Sequence, residues 1–166
     1  MSRRHAAEKR EIVPDPIYKD VRVAKFINKI MFDGKKTVAE KIVYGAFKII
    51  EKKYQVNPFE TFIAAIDILR PNLQLRSVRI GGSSYQVPEI CEAERGNNVA
   101  FKWIINAMRT RSENSSVERL AEEIFDSYNK RGLAFKKRTD HDKTVEANRA
   151  FAHYSPKSRT KQTASN

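Results

Sequence analysis

A chain of 166 residues, 40% hydrophobic and 31% charged, is of one-domain size and long enough to bury a core. Lys and Arg number 32 against 20 Asp and Glu, a formal net charge of +12, so a polyanionic partner is expected, since each neutralised phosphate releases counterions. A single cysteine, Cys91, excludes an internal disulfide and any multi-thiolate metal site, and no run reaches the roughly 18 apolar residues of a membrane span.

Residues 1–19 show no helical period, and "PDP" at Pro14 to Pro16 predicts a basic arm leading into an extended segment. The opening "MSRRHAAEKRE" has no apolar core behind it, and Glu8 and Glu11 argue against a transit peptide. Bacterial cytoplasm is expected, or the matrix of an organelle.

From Asp20 the pattern turns helical. Val21, Ala24, Ile27, Ile30 and Met31 form one stripe, with Gly34 of "DGKK" as the expected C-terminal cap. Thr37 with Glu40 spells a capping box ahead of Val38, Ile42, Ala46 and Ile49. Asn57, Pro58 and Glu60 give an N-cap, a first-turn proline and an N3 acid before Phe59, Phe62, Ile63, Ile66 and Leu69. Arg70-Pro71 ends that third helix.

Between Val78 and Pro88, apolar and polar residues alternate around Gly81-Gly82, which predicts one β-hairpin over about 73–91. Alternation sets Arg79 on the face opposite Val78 and Ile80, and Tyr85 is positioned either to stack on a base or to pack across the strands. A fourth helix carries Val99, Trp103, Ala107 and Met108 on one side. Ser115 with Glu118 starts a fifth, through Val117, Leu120, Ala121, Ile124, Phe125 and Tyr128, with Gly132 as its stop. A last, more polar helix is predicted over 140–154, with Val145, Phe151 and Ala152 as its thin stripe. Residues 155–166 form a polar, basic tail with no stripe. The fold class is therefore mainly α, a six-helix domain over 20–154 with one protruding β-hairpin between helices three and four.

No catalytic constellation emerges, so no catalytic residue, metal or cofactor is expected. His5, His141 and His153 are scattered, "GGSSY" lacks the spacing of a phosphate loop, and Ser83 and Ser84 have no patterned base. Positive charge is better organised. It gathers at Arg3, Arg4, Lys9 and Arg10; at Lys35 and Lys36; at Arg76 and Arg79; at Arg109 and Arg111; at Lys136, Lys137 and Arg138; and at Arg149, Lys157, Arg159 and Lys161. Clusters spaced along the chain in this way read as one distributed phosphate-binding surface.

"MSRRHAAEKRE", "PDP", "FDGKKTVAEKIVYGA", "RIGGSSYQVP", "AFKKRTD" and "EANRAFAHY" together resemble, in order, the motif blocks of the small-subunit ribosomal protein seven family of bacteria and organelles. The likeness covers residues 1 to 154, and the opening and the "SPK" after "AHY" look alphaproteobacterial. It implies a six-helix domain with a protruding hairpin and a non-catalytic role in the head of the small subunit. Partners implied are the 3′ major domain of the small-subunit rRNA, whose assembly such proteins nucleate, the exit-site tRNA and mRNA, and neighbouring head and platform proteins. No membrane is implied.

By motif match, Arg3, Arg4, Lys9 and Arg10 thread rRNA, while Lys35, Lys36, Arg76, Arg79, Lys136, Lys137 and Arg138 hold phosphates. Gly81, Gly82, Ser83, Ser84 and Tyr85 at the tip, with Arg149 and His153, face the exit site. The ribbon is then held by RNA packed around it.

Two features depart from the family pattern. Glu89, Glu92 and Glu94 stand where a basic run is usual, and the tail extends past Tyr154. An architectural DNA-binding ribbon is the alternative, but Gly-Gly-Ser-Ser makes a poor wedge between base steps. An RNA-modifying enzyme lacks its acid, base or metal, and a purely protein-binding scaffold has no need of so much Lys and Arg.

Overall fold

The computed structural model describes residues 11–154, which form six α-helices, one short 3-10 helix and one β-hairpin. In chain order they are α1 (Val21–Ile30), α2 (Lys36–Tyr54), α3 (Pro58–Leu69), β1 (Leu73–Ile80), β2 (Ser83–Ile90), α4 (Ala93–Thr110), α5 (Ser116–Tyr128) and α6 (Gly132–Ala147). A 3-10 helix over Arg149–Tyr154 follows. The mainly helical domain with its ribbon between the third and fourth helices is as expected. Arg3, Arg4, Lys9 and Arg10 of the arm, and Lys157, Arg159 and Lys161 of the tail, lie outside the described residues.

Three helix starts follow from side chains that accept the unpaired N–H groups of a first turn. Asp20 accepts from Arg22 N–H at 2.6 Å, Asn57 from Phe59 and Glu60 N–H at 3.1 and 3.5 Å, and Ser115 from Val117 N–H at 3.3 Å. Elsewhere the boundaries correct the sequence reading. Thr37 does not cap α2, which has begun by Lys36 with no side-chain cap. Gly34 does not cap α1, because Met31 N–H already bonds Ile27 O; Gly34 sits in the following turn at φ +72°. Gly132, at φ +84°, does not end α5 but opens α6. That last helix starts well before Asp140 and stops at Ala147, so "RAFAHY" is a separate 3-10 segment.

The core is aromatic at its centre. Phe26, Phe47, Phe62 and Phe101 have no exposure above 1%, and their ring centroids lie 5.0–5.4 Å apart. Full burial of each such ring contributes roughly 1.5–3 kcal/mol. α1 and α2 present faces rotated by about a residue from the expected stripes: Val23, Phe26 and Val43, Phe47 are buried, while Val21 and Val38 are exposed. α5 packs against α2, α3, α4 and α6. Its approach to α2 is close enough that a Cβ on Gly45 would lie 2.8 Å from Val117 Cγ1.

"PDP" forms a pinned turn rather than a simple extended stretch. Asp15 is buried; its Oδ2 accepts from Ile17 and Tyr18 N–H at 3.1 and 3.0 Å, and its Oδ1 from the Tyr44 hydroxyl at 2.6 Å.

β1 and β2 pair antiparallel from Leu73 opposite Ile90 to Ile80 opposite Ser83. Gly81 and Gly82 both take positive φ, +56° and +90°, as a two-residue hairpin loop requires. The face carrying Val78, Tyr85 and Val87 turns toward the chain's C-terminal segment, where Tyr85 meets Phe151 at 5.3 Å and Tyr154 at 5.4 Å. The ribbon thus packs against the protein's own C-terminal segment.

Candidate nucleic-acid interface

Cations expected to hold phosphate divide by what surrounds them. Lys35, Lys36, Arg79, Arg109, Lys136 and Lys137 are exposed, and none forms an ion pair with another described residue. Arg76 is exposed too and lies 3.7 Å from Glu89. Arg149 pairs with Glu146 at 3.1 Å on an exposed surface, a contact worth little in water. Arg138 is half-buried, its Nε 3.4 Å from Asp142 one turn on.

Arg111 differs from the other cations in its surroundings. Its Nη1 donates to Glu123 Oε2 and Asp126 Oδ2, each at 2.8 Å, and its Nε to Glu113 Oε1 at 2.9 Å. Burial works against its charge, yet these hydrogen bonds outweigh that and hold it above the ordinary arginine range. Three carboxylates already occupy the guanidinium, so in this fold Arg111 ties the end of α4 to α5. Glu123, fully buried, uses its other oxygen to accept Ala134 N–H at 2.9 Å in the first turn of α6. This one carboxylate therefore joins the end of α4 to the start of α6 through α5.

That junction fixes the geometry of the exposed cations. On one side of the C-terminal end of α4, Arg109 reaches over the ring of Phe32 at 4.3 Å. Phe32 and Lys35 bracket a turn closed by Lys35 N–H donating to Phe32 O at 2.9 Å, so Lys35 and Arg109 share a neighbourhood. On the other side, α4 and α6 border a groove of about 600 Å³ whose lining includes Trp103, Thr110, Leu133, Lys136 and Lys137. Cations from the α1–α2 turn, α4 and α6 thus flank one helix end, where positive charge also opposes the helix dipole.

A second group lies along the ribbon. Arg76 and Arg79 project from opposite faces, in register with Val87 and Ser84. Gly81, Gly82, Ser83 and Ser84 are exposed at the tip. Tyr85 is half-buried and takes the packing alternative. The 3-10 helix beneath it carries Arg149 and His153, whose Nδ1 lies 2.8 Å from Ala150 O. Tip and C-terminal segment therefore belong to one assembly, away from the helix-end cluster.

Two of the three acids that depart from the family pattern have cationic partners within the fold. Glu89 faces Arg76, and Glu94 bonds Lys25 Nζ at 2.6 Å. The sequence reading did not single out Phe32, Asp15 or Glu123. Phe32 is an aromatic residue one step beyond a finished stripe, and Glu123 is an acid inside the stripe of α5; both were visible as exceptions to pattern.

A family profile described as ribosomal protein S7p/S5e matches residues 2–149, a span holding every α-helix, both strands and the cation clusters just described. The chain belongs to the ribosomal protein S7p/S5e family. Among its relatives, small ribosomal subunit protein uS7 of Rickettsia massiliae (strain Mtu5) is 54% identical over 157 residues, covering 95% of this chain and 98% of that protein. The uS7 protein of Methylobacterium radiotolerans is 53% identical over 154 residues, covering 93% and 99%. Both genera are alphaproteobacterial, in agreement with the opening and closing motifs. Within this S7p/S5e family member, no described helix is long and apolar enough to cross a membrane.

Proposed function

We propose that this chain is a structural protein of the small ribosomal subunit that binds the 3′ major domain of the small-subunit rRNA, nucleates assembly of the head and acts without catalysis. The observation that carries this is the set of exposed cations around the C-terminal end of α4, where Lys35, Arg109, Lys136 and Lys137, without ion pairs among the described residues, flank a helical junction. RNA phosphates complement such a surface, and counterion release makes the association strongly salt-dependent. Lys36, Arg138 and, on the ribbon, Arg76 and Arg79 extend the contact, joined by Arg3, Arg4, Lys9 and Arg10 of the arm.

The exposed tip at Gly81, Gly82, Ser83 and Ser84 and the adjoining Arg149 and His153 serve the exit-site tRNA and mRNA path. Tyr85 acts there as the anchor of the ribbon. Neighbouring head and platform proteins complete the partners, and a bacterial cytoplasm is the setting. The joining of tip and C-terminal segment supports a shared ligand on that side.

The test is titration of the full-length protein with the isolated 3′ major domain, against unrelated RNA of equal length and duplex DNA, at two salt concentrations. Preference for the cognate domain that survives the higher salt, and falls when Arg76 and Arg79 become Ala, is expected. Equal binding to all three, lost together as salt rises, overturns the reading.

A further inference from the structure

We propose that Phe32 and Arg109 form a stacking site for one unpaired base of the bound RNA. The inference rests on the RNA-binding reading above and adds what the charges alone do not supply, a means of telling an unpaired nucleotide from a helix. Phe32 is 62% exposed, although Ile30, two residues earlier, is buried. Its position is built rather than incidental. Asp33 and Gly34 take successive positive φ values, +50° and +72°, and Lys35 N–H closes the turn on Phe32 O. Phe32 and Lys35 are thereby brought together across the turn.

Arg109 makes no ion pair among the described residues, and its guanidinium lies 4.3 Å from the ring centroid instead. A shallow depression beside the ring has Met31, Lys35, Val38 and Ile42 in its lining. Aromatic rings and guanidinium planes are the two surfaces on which unstacked bases rest. Here both stand together, with Lys35 and Lys36 placed for the flanking phosphates. A ring makes no useful contact with phosphate, and bases within an A-form helix do not offer their faces. The occupant is therefore a nucleobase from a loop, bulge or junction.

The experiment compares full-length wild type with Phe32→Ala, Phe32→Leu, Phe32→Trp and the double variant Lys35→Ala/Lys36→Ala. Each is titrated with the 3′ major domain and with an unstructured single-stranded RNA across a salt series. Because Phe32 is exposed, thermal melting is expected to be unchanged in its variants. Phe32→Ala is expected to weaken binding to both RNAs by about fivefold or more, the lower end of what base–aromatic stacking supplies, with an unchanged salt slope. Phe32→Trp retains affinity and Phe32→Leu does not. The lysine variant instead lowers the salt slope by roughly one per lysine.

Wild-type affinity in Phe32→Ala overturns the site. So does full recovery in Phe32→Leu, which would mean that apolar bulk and not an aromatic face supports RNA binding. Failure of the ribosomal reading is distinct: wild type would then not prefer the 3′ major domain, while the Phe32 effect would persist on single-stranded RNA, because stacking is tolerant of sequence.

Discussion

Replacing Arg111 with Met should be among the most damaging single changes outside the aromatic core. The guanidinium is 18% exposed and meets three carboxylates, one of which, Glu123, has an exposure of 0%. Without it, Glu123 keeps the N–H of Ala134 as a partner but loses its countercharge, and Asp126 and Glu113 are left facing it. Removing one partner of a buried pair costs about 3–5 kcal/mol, against about 0.2–1 kcal/mol for an exposed pair. For a domain whose total stability is of order 5–15 kcal/mol, that is a large share. At about 2–4 °C per kcal/mol for a chain of this size, the melting temperature should fall by roughly 6–20 °C. Urea unfolding at neutral pH, followed by circular dichroism, measures the loss directly. The exposed pair Lys25–Glu94 provides the contrast, and Lys25→Ala should cost less than about 1 kcal/mol. The loss should also be uneven, with the first turn of α6 exchanging its amides faster than α3. Equal, small losses in the two variants would refute the assignment of Arg111 to the interior.

Gly45→Ala places a methyl 2.8 Å from Val117 Cγ1, and the stiff valine must shift, so a loss of about 1–3 kcal/mol is expected in urea unfolding. Tyr85→Ala should release the ribbon from Phe151 and Tyr154. At about 0.5–1.5 kcal/mol per aromatic pair, amide exchange in β1 and β2 should accelerate about fivefold or more, with the helices unaffected. Burial first, and then the hydrogen bond to Asp15, hold the Tyr44 hydroxyl above its ordinary value of 10.0. Its contribution is complete below that pH and is lost as pH rises above it, because the unfolded chain releases the proton first. Unfolding midpoints should therefore decline above about pH 10, and Tyr44→Phe should flatten the decline while lowering stability at neutral pH.

Elements whose ends are written in local chemistry were legible from the chain. Asn57-Pro58 and Ser115 cap the helices they precede, and Gly81-Gly82 turns the hairpin. Boundaries failed where a local signal had a tertiary competitor. The Thr37–Glu40 box was overridden because α2 had already begun at Lys36, and Gly132 serves α6 because its backbone must pass close to Glu123. The first half of α6 is not legible in the sequence because Ala134 and Val145 are the helix's only buried residues, leaving little period to detect. For the interface, charge showed which residues are cationic but not which are available. Arg109 and Arg111 are two positions apart. The acids that claim Arg111 include Glu123 and Asp126, 12 and 15 residues further on, and only folding brings them there.

The seating of Tyr85 on Phe151 and Tyr154 also sets an order of events during synthesis. A two-stranded ribbon by itself is marginal in water, and its support is encoded 66 residues later (151 − 85). At about 5–20 residues per second, the nascent ribbon waits roughly 3–13 s for its clasp. In that interval the first three helices are already available to collapse around their aromatic rings, while Tyr85 still has its face open to solvent. The ribbon is accordingly finished late, and a chain truncated before Phe151 would carry complete helices beneath a hairpin that keeps its contacts with α6 but lacks its aromatic clasp.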